Sequence, residues 1–253
     1  MFPEERRNRI LAILNRHGRC LVADLARELK VSEVTIRQDL DFLEKEGLLR
    51  RTHGGALLNS KIGFERPFQM VETSFKPEKE RIAGAAVGLI SPGDTVFLDV
   101  GTTVTEVAKK LATHANLTVF TNALNIATIL EANPEITTVV TGGTLRAKQH
   151  SLVNPYAGFI LERINVDIAF IGISGIEAGR GITNVNIAEA EMKSLFIKTA
   201  HRRVVLADSS KIGKVALAKV ADISDLDLLI TDIKADPEEI ALLKEAGLEV
   251  QLV

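Results

Sequence analysis

The chain has 253 residues, 46% of them hydrophobic and 25% charged, with a formal net charge of −2. That apolar fraction over that length can bury a sizeable core, which excludes disorder as the main state and predicts one or two domains. A single cysteine, Cys20, excludes an internal disulfide and fits a reducing compartment, and neither a signal peptide nor an apolar run of ~18 residues is present, so the expected location is the cytoplasm.

The near-neutral charge argues against a nucleic-acid partner only while it is treated as uniform. Residues 1–55 carry 11 Lys/Arg against 9 Asp/Glu, leaving 20 against 24 for the rest. The first segment reads as short helices dense in arginine. A helix is predicted from Glu4 or Glu5 to His17, with an Ile10, Leu11, Leu14 stripe and Gly18 as its stop. A second spans Val22 to Leu29. A third runs from Glu33 to Glu46, capped by Ser32 and ended by Gly47. In that helix Ile36, Leu40 and Leu43 form one inward stripe, and the opposite face carries Val34, Gln38, Asp41 and Lys45 with Arg37 on its shoulder. Leu48 to His53 reads as a strand, Gly54-Gly55 as a two-residue turn and Ala56-Leu57-Leu58 as the returning strand.

Three short helices and a basic hairpin make a winged helix-turn-helix. Such a unit suits double-stranded DNA: the third helix can enter a major groove, where Arg37 and Gln38 can read base edges. Lys45, Arg50 and Arg51 can neutralise phosphates. The candidate DNA-binding residues are Ser32, Val34, Thr35, Arg37, Gln38, Lys45, Arg50, Arg51 and His53. The plainer alternative is a helical subdomain with a solvated charged face.

Residues 59–78 form a connector with Pro67 and Pro77. Its Phe64, Phe68 and Phe75 would be wasted in a solvated linker, so it is expected to pack against the larger domain or a second subunit. From residue 79 onward apolar strand runs (96–98, 117–120, 136–140, 167–173, 203–206, 228–230 and 249–252) alternate with helical stretches (78–90, 104–112, 123–132, 188–200 and 237–246). That alternation predicts an α/β domain with a mainly parallel, Rossmann-like sheet, whose ligands sit at the carboxyl ends of strands.

Five such ends are polar or glycine-rich: Asp99 to Thr103, Thr121-Asn122, Thr141-Gly142-Gly143, Gly172 to Gly175 and Asp208 to Lys211. Each alone is ordinary turn and cap chemistry; together they fit a small, polyhydroxylated, anionic ligand. Lys211 and the Gly101-Thr102-Thr103 turn suit a phosphate, and Asp99, Asn122 and Glu191 suit hydroxyls. Thr121, Gly142 and Gly143 complete the candidate set. Glu189 and Glu191 read equally well as a solvated helix face.

The stretch Arg6 to Ala56 resembles the DNA-binding segment of DeoR-type bacterial transcription regulators. The resemblance rests on Arg9-Ile10-Leu11, Leu25-Ala26, Val31-Ser32-Glu33, Thr35 to Leu40, Gly47 to Arg51 and His53 to Ala56. The second half is similar to the sensor domain of the same family through Lys79, Ile82-Ala83, Asp99 to Thr103, Thr121-Asn122, Gly142-Gly143, Asp167, Phe170 to Gly172, Gly181 to Thr183, Glu189 to Lys193 and Leu206 to Lys211. The resemblance implies a sensor fold like that of ribose-5-phosphate isomerase and a phosphorylated sugar or polyol as effector. It also implies Asp99, Gly101, Thr102, Thr103, Asn122 and Lys211 as effector contacts. Two positions depart from the family pattern: Gln38 stands where a second arginine is usual, and Asn154 where glycine is common.

No phosphate-binding Gly-x-x-x-x-Gly-Lys-Ser/Thr run and no dinucleotide fingerprint occurs, and the five histidines are scattered. No catalytic residue, cofactor or metal is therefore assigned. The expectation is a repressor of a sugar or polyol operon, released from operator DNA by its effector. A homodimer or larger assembly is expected, because one reading head covers few base pairs. The rival class is a sugar-phosphate isomerase-like enzyme with an accessory DNA-binding module, using Asp99, Glu191 or Lys211 for proton transfer.

Overall fold

In the N-terminal segment the helical periods settle around one apolar cluster. The computed structural model describes residues 1–58, 65–154 and 157–253. These divide into two compact units, Met1–Ser74 and Phe75–Val253. The first contains α1 (Pro3–His17), β1 (Arg19–Leu21), α2 (Val22–Leu29), α3 (Glu33–Lys45), β2 (Leu49–Thr52), β3 (Gly55–Leu58) and α4 (Phe68–Glu72). Pro3 occupies the first turn of α1, where its missing N–H costs nothing, and Gly18 closes that helix at φ 72° with its N–H on the Leu14 carbonyl. The Ser32 hydroxyl accepts the Thr35 N–H at 3.1 Å and so starts α3. Ile10, Leu14, Leu25, Ile36, Leu40 and Leu43 are all buried in the shared core.

Asp39 sits beside that stripe and is itself buried. Its carboxylate accepts hydrogen bonds from Arg6 Nε and, at 3.0 Å, from Arg7 Nε, both on α1. Arg7 also lies over the Phe42 ring, 3.7 Å from its centroid. The helix that reads as DNA-facing is thus bolted to α1 by charge as well as by apolar packing.

Two details of the hairpin differ from the sequence expectation. The turn falls at His53-Gly54, because Thr52 already pairs with Gly55. A third strand, β1, joins β3 antiparallel in a β1-β3-β2 sheet. The two facts share a cause. A Cβ on Gly55 would stand 2.1 Å from the Cys20 carbonyl oxygen, so glycine is needed where β1 presses on the returning strand rather than for the turn. Of the connector, Asn59 to Phe64 lie outside the described residues. Its remaining part up to Ser74 belongs to the N-terminal unit, with Met70 packed on the head's core. Phe75 and the residues after it belong to the C-terminal unit, where a helix starts at Lys76. A head-side anchor of this kind was not expected.

The second unit contains α5 (Lys76–Val87), β4 (Thr95–Leu98), α6 (Thr102–Leu111), β5 (Leu117–Thr121), α7 (Leu124–Glu131), β6 (Ile136–Val140), β7 (Thr144–Arg146), β8 (Ser151–Val153) and α8 (Ala157–Leu161). It continues with β9 (Val166–Gly172), β10 (Gly175–Glu177), β11 (Gly181–Asn184), α9 (Ile187–Thr199), β12 (Ala200–Leu206), β13 (Ala218–Ala221), β14 (Leu228–Thr231), α10 (Pro237–Glu245) and β15 (Glu249–Leu252). Seven strands form a sheet in the order β15-β14-β12-β9-β4-β5-β6, and every neighbouring pair is parallel.

Strand alternation divides the core into two layers. Val96, Leu98, Phe170, Val204 and Ile230 face one cluster, whereas Phe97, Ala169, Ile171, Val205 and Leu229 face the other. Burial on both faces explains why these strands read as unbroken apolar runs. From β4 the chain winds outward through β5 and β6, then returns to β9 on the other side of β4. That reversal opens a crevice at the carboxyl ends of β4 and β9. Two antiparallel additions went unpredicted: the β7–β8 hairpin and the small β10-β11-β13 sheet.

Candidate functional site

The outer surface of α3 and the wing presents the first candidate site. Ser32, Val34, Arg37, Gln38, Lys45, Arg50 and His53 are exposed, and Thr35 and Arg51 are half-buried. Val34 is 60% exposed, which places an unpartnered apolar group among the polar ones; a thymine methyl is a fitting contact for it. Arg37 is held by Glu33 one turn earlier at 2.6 Å, with both side chains about half exposed. An exposed pair of this spacing is worth about 0.3–0.5 kcal/mol, so Arg37 can leave it for a base edge. Arg37→Ala is expected to reduce the preference for operator over random DNA by about 1–3 kcal/mol. Competition titration with the two DNAs measures it, and an unchanged preference removes Arg37 from base recognition.

The second candidate site lies at the β4/β9 crevice, and Asp99 is its centre. Asp99 is fully buried. Its Oδ2 accepts the Gly172 N–H at 3.0 Å and pairs with the buried Lys193 ammonium of α9. Its Oδ1 is buried and has no hydrogen-bond partner among the described residues. Burial pushes the Asp99 carboxyl up to about 6, against the lowering pull of Lys193. Gly101 follows at φ 149°, a conformation that favours glycine, and precedes the first turn of α6 without a side-chain cap. The leading N–H groups of α6 and its positive dipole end are therefore free to meet an anion. Thr102 and Thr103 are buried in that turn. Gly172 is equally constrained, since a Cβ there would stand 2.8 Å from the Val100 carbonyl oxygen.

The remaining predicted residues divide by what they do. Thr121 Oγ1 donates to the Leu98 carbonyl at 2.7 Å and accepts the Ala123 N–H at 3.0 Å. Asn122 Oδ1 accepts the Val100 N–H at 3.1 Å, and its amide donates to the Leu152 carbonyl at 3.5 Å. Both are buried and shape the crevice, tying the β4 end to the β7–β8 hairpin. Gly142 and Gly143, at φ 73° and 122°, turn the chain into that hairpin. A Cβ on Gly143 would stand 2.4 Å from the Val153 carbonyl oxygen. Lys211 ends a short 3-10 turn (Ser209–Lys211) after β12. It is half-buried and has no ion-pair partner among the described residues.

Glu191 is not brought to Asp99. It is exposed, donor-bonded by Asn154 Nδ2 at 2.6 Å, and faces an outer groove of about 410 Å³ beside Ser194 and Lys198. The loop carrying Asn154 continues into Pro155 and Tyr156, which lie outside the described residues. The inward position belongs instead to Glu189. Its carboxylate pairs with Arg146, accepts from Ser151 Oγ at 2.6 Å and from Asn184 Nδ2 at 3.2 Å. Lys193, Arg146, Ser151 and Asn184 escaped the sequence reading. One signal was present: Glu189, Met192, Lys193, Phe196 and Ile197 fall at i, i+3, i+4, i+7 and i+8, the inward stripe of α9. Two charges on such a stripe each call for an internal partner, Arg146 for Glu189 and Asp99 for Lys193.

Among the described residues no group of three or more His, Cys, Asp or Glu is placed to hold a metal ion, and no helix is long and apolar enough to cross a membrane.

Residues 6–62 match the family described as a DeoR-like helix-turn-helix domain, and residues 74–233 match the DeoR C-terminal sensor domain. The chain is 35% identical to the HTH-type transcriptional regulator GolR of Listeria innocua over all of this chain and 99% of that protein. It is 29% identical to the glycerol-3-phosphate regulon repressor of Escherichia coli K12 over the whole of both. In structure it is similar to ribose 5-phosphate isomerase A of Methanocaldococcus jannaschii, with a TM-score of 0.42, 20% identity and 55% of each chain covered. With both of its units matched in order and a relative of this identity aligned end to end, the chain belongs to the DeoR family of DNA-binding transcriptional regulators.

Proposed function

We propose that the protein is a cytoplasmic repressor of a sugar or polyol operon, released from its operator by a phosphorylated sugar or polyol. Residues 1–58 read the DNA, 59–78 connect, and 79–253 sense the effector. The observation that carries the sensing part is Asp99 Oδ1, a buried carboxylate oxygen with no partner among the described residues, beside an uncapped helix N-terminus. A buried acceptor left unpaired costs about 1–3 kcal/mol, and a ligand hydroxyl relieves that cost while its phosphate meets the α6 N-terminus. The Escherichia coli relative is named for a phosphorylated polyol, glycerol-3-phosphate, which points the same way.

In this reading Asp99 accepts a hydroxyl and Lys193 keeps Asp99 ionised. Gly101, Thr102, Thr103 and Lys211 take the phosphate, and Thr121, Asn122, Gly142 and Gly143 shape the pocket. Glu191 drops out of the effector set. The protein binds this ligand without turning it over. It acts as a homodimer or larger assembly, since paired half-sites supply the affinity that one head lacks. The effector acts by favouring one arrangement of the heads, because equal affinity for both would shift nothing.

A thermal-shift screen tests the proposal directly, since a ligand that binds only the folded chain raises its melting temperature. Phosphorylated sugars and polyols are expected to stabilise where their unphosphorylated counterparts do not. Lys211→Ala is expected to lose the stabilisation and effector-dependent release while keeping operator affinity. Release at wild-type effector concentrations would remove Lys211 from the site, and turnover of a stabilising ligand would favour the enzyme reading.

A further inference from the structure

Adjacent residues of a β-strand point to opposite faces, and in β2 the adjacent pair is Arg50-Arg51. The burial alternation along Leu49–Thr52 turns Leu49 and Arg51 toward the head's interior and Arg50 and Thr52 outward. Arg51 is held from three directions. Its Nη1 donates to the Arg37 carbonyl at 3.1 Å and to Asp41 Oδ1 at 2.5 Å, and its backbone N–H donates to Glu44 Oε1 at 2.6 Å. All three partners lie on α3, on the turns next to the base-reading positions. The Arg51 side chain is 22% exposed, whereas Arg50 is exposed.

We propose that Arg51 is a positioning residue that fixes the wing against α3, and that Asp41 and Glu44 are its counterparts, while Arg50 is the wing's phosphate contact. A carbonyl and a carboxylate one helical turn apart both accept from the single Arg51 Nη1, which ties the wing strand to α3 at one nitrogen. The arrangement sets the distance between the helix in the major groove and the wing beside it. Arg51 therefore serves operator discrimination without touching DNA. It also gives two exposed acidic residues a role in a surface that binds a polyanion, where a carboxylate otherwise opposes binding.

Equilibrium binding of the full-length protein tests this on two probes over a range of salt. One is a duplex selected by the wild-type chain from a random pool, and the other is the unselected pool. Arg50→Ala is expected to lower the slope of log affinity against log salt by about 0.9 on both probes, as one lost phosphate contact does, with little change in preference between them. Arg51→Ala removes both side-chain contacts to α3, so its preference for the selected duplex falls at least about fivefold, as for a broken network of neighbours, while its salt slope stays near the wild-type value because Arg51 meets no phosphate. Asp41→Asn and Glu44→Gln, which remove negative charge, are expected to lower that preference as well. Wild-type preference in Arg51→Ala, or a slope reduced by about 0.9 in that variant, would overturn the proposal. Tighter or unchanged preference in both acidic variants would overturn it too.

Discussion

Asp39→Ala is expected to destabilise the N-terminal unit by about 3–5 kcal/mol, the range for removing one partner of a buried ion pair. Among the described residues Asp39 is the sole carboxylate partner of two arginines, and Arg6 is nearly as buried as Asp39 itself. Its loss strands the Arg6 guanidinium in the interface between α1 and α3. Domains are stable by only about 5–15 kcal/mol, so a loss of that size brings the head close to unfolding. Urea unfolding followed by hydrogen exchange in α1 and α3 measures it, and operator binding is expected to fail at a lower temperature than in the wild type. A change under about 1 kcal/mol would mean that the pair behaves as an exposed one. Arg7→Ala is expected to cost less, because Arg7 is 28% exposed and Arg6 remains on Asp39.

Lys193→Ala is the counterpart in the sensor unit, with a similar expected loss of about 3–5 kcal/mol and a distinct pH dependence. Lys193 and Asp99 are both buried, so deleting the ammonium leaves a desolvated carboxylate. In the wild type the Asp99 carboxyl already stands at about 6, above its ordinary value, because burial outweighs Lys193. A carboxyl raised on folding favours the folded state most below its unfolded pKa, and that contribution is lost as the pH rises through the folded value. Without Lys193 the carboxyl moves further up. The deficit against wild type is therefore greatest above the raised value and shrinks as the pH is lowered through it. Thermal unfolding of both chains across a pH series shows this as converging curves on the acid side. Parallel curves would mean that the loss is one of packing, with no stranded charge.

The candidate site at the β4/β9 crevice was only partly legible in the linear chain. Asp99, Gly101 and the two threonines stand at a strand-to-helix junction, and local pattern is enough to find such a junction. Glu189 and Glu191 were not separable by residue type, being two identical side chains two positions apart. Helical geometry puts them about 200° apart around α9, and only the packing of α9 decides which side faces Asp99. The inner side carries Glu189 and Lys193; the outer carries Glu191, next to the Asn154 that departs from the family pattern. Asn122 is a similar case. Its amide looked like a ligand group, but with Val100 and Leu152 both on it, it works as a clamp.

In the head, Arg50 and Arg51 read as equivalent cations. Strand alternation separates them, yet which face of β2 meets α3 depends on the register with β3 and on β1 behind it. Three-residue β1 left no periodic trace, because a single buried residue, Cys20, defines no pattern.

What the sequence determined by itself is the set of elements and their order: helices from their apolar stripes and caps, buried strands from unbroken apolar runs, and a parallel sheet from their alternation. These follow from interactions within a few residues. What the tertiary structure alone decided is the pairing of charges far apart in the chain, Asp39 with Arg6 and Arg7, Asp99 with Lys193, and Glu189 with Arg146. A buried charge is tolerated only where its partner is desolvated beside it. Which partner that is depends on how helices and strands pack, a non-local fact that no local pattern encodes.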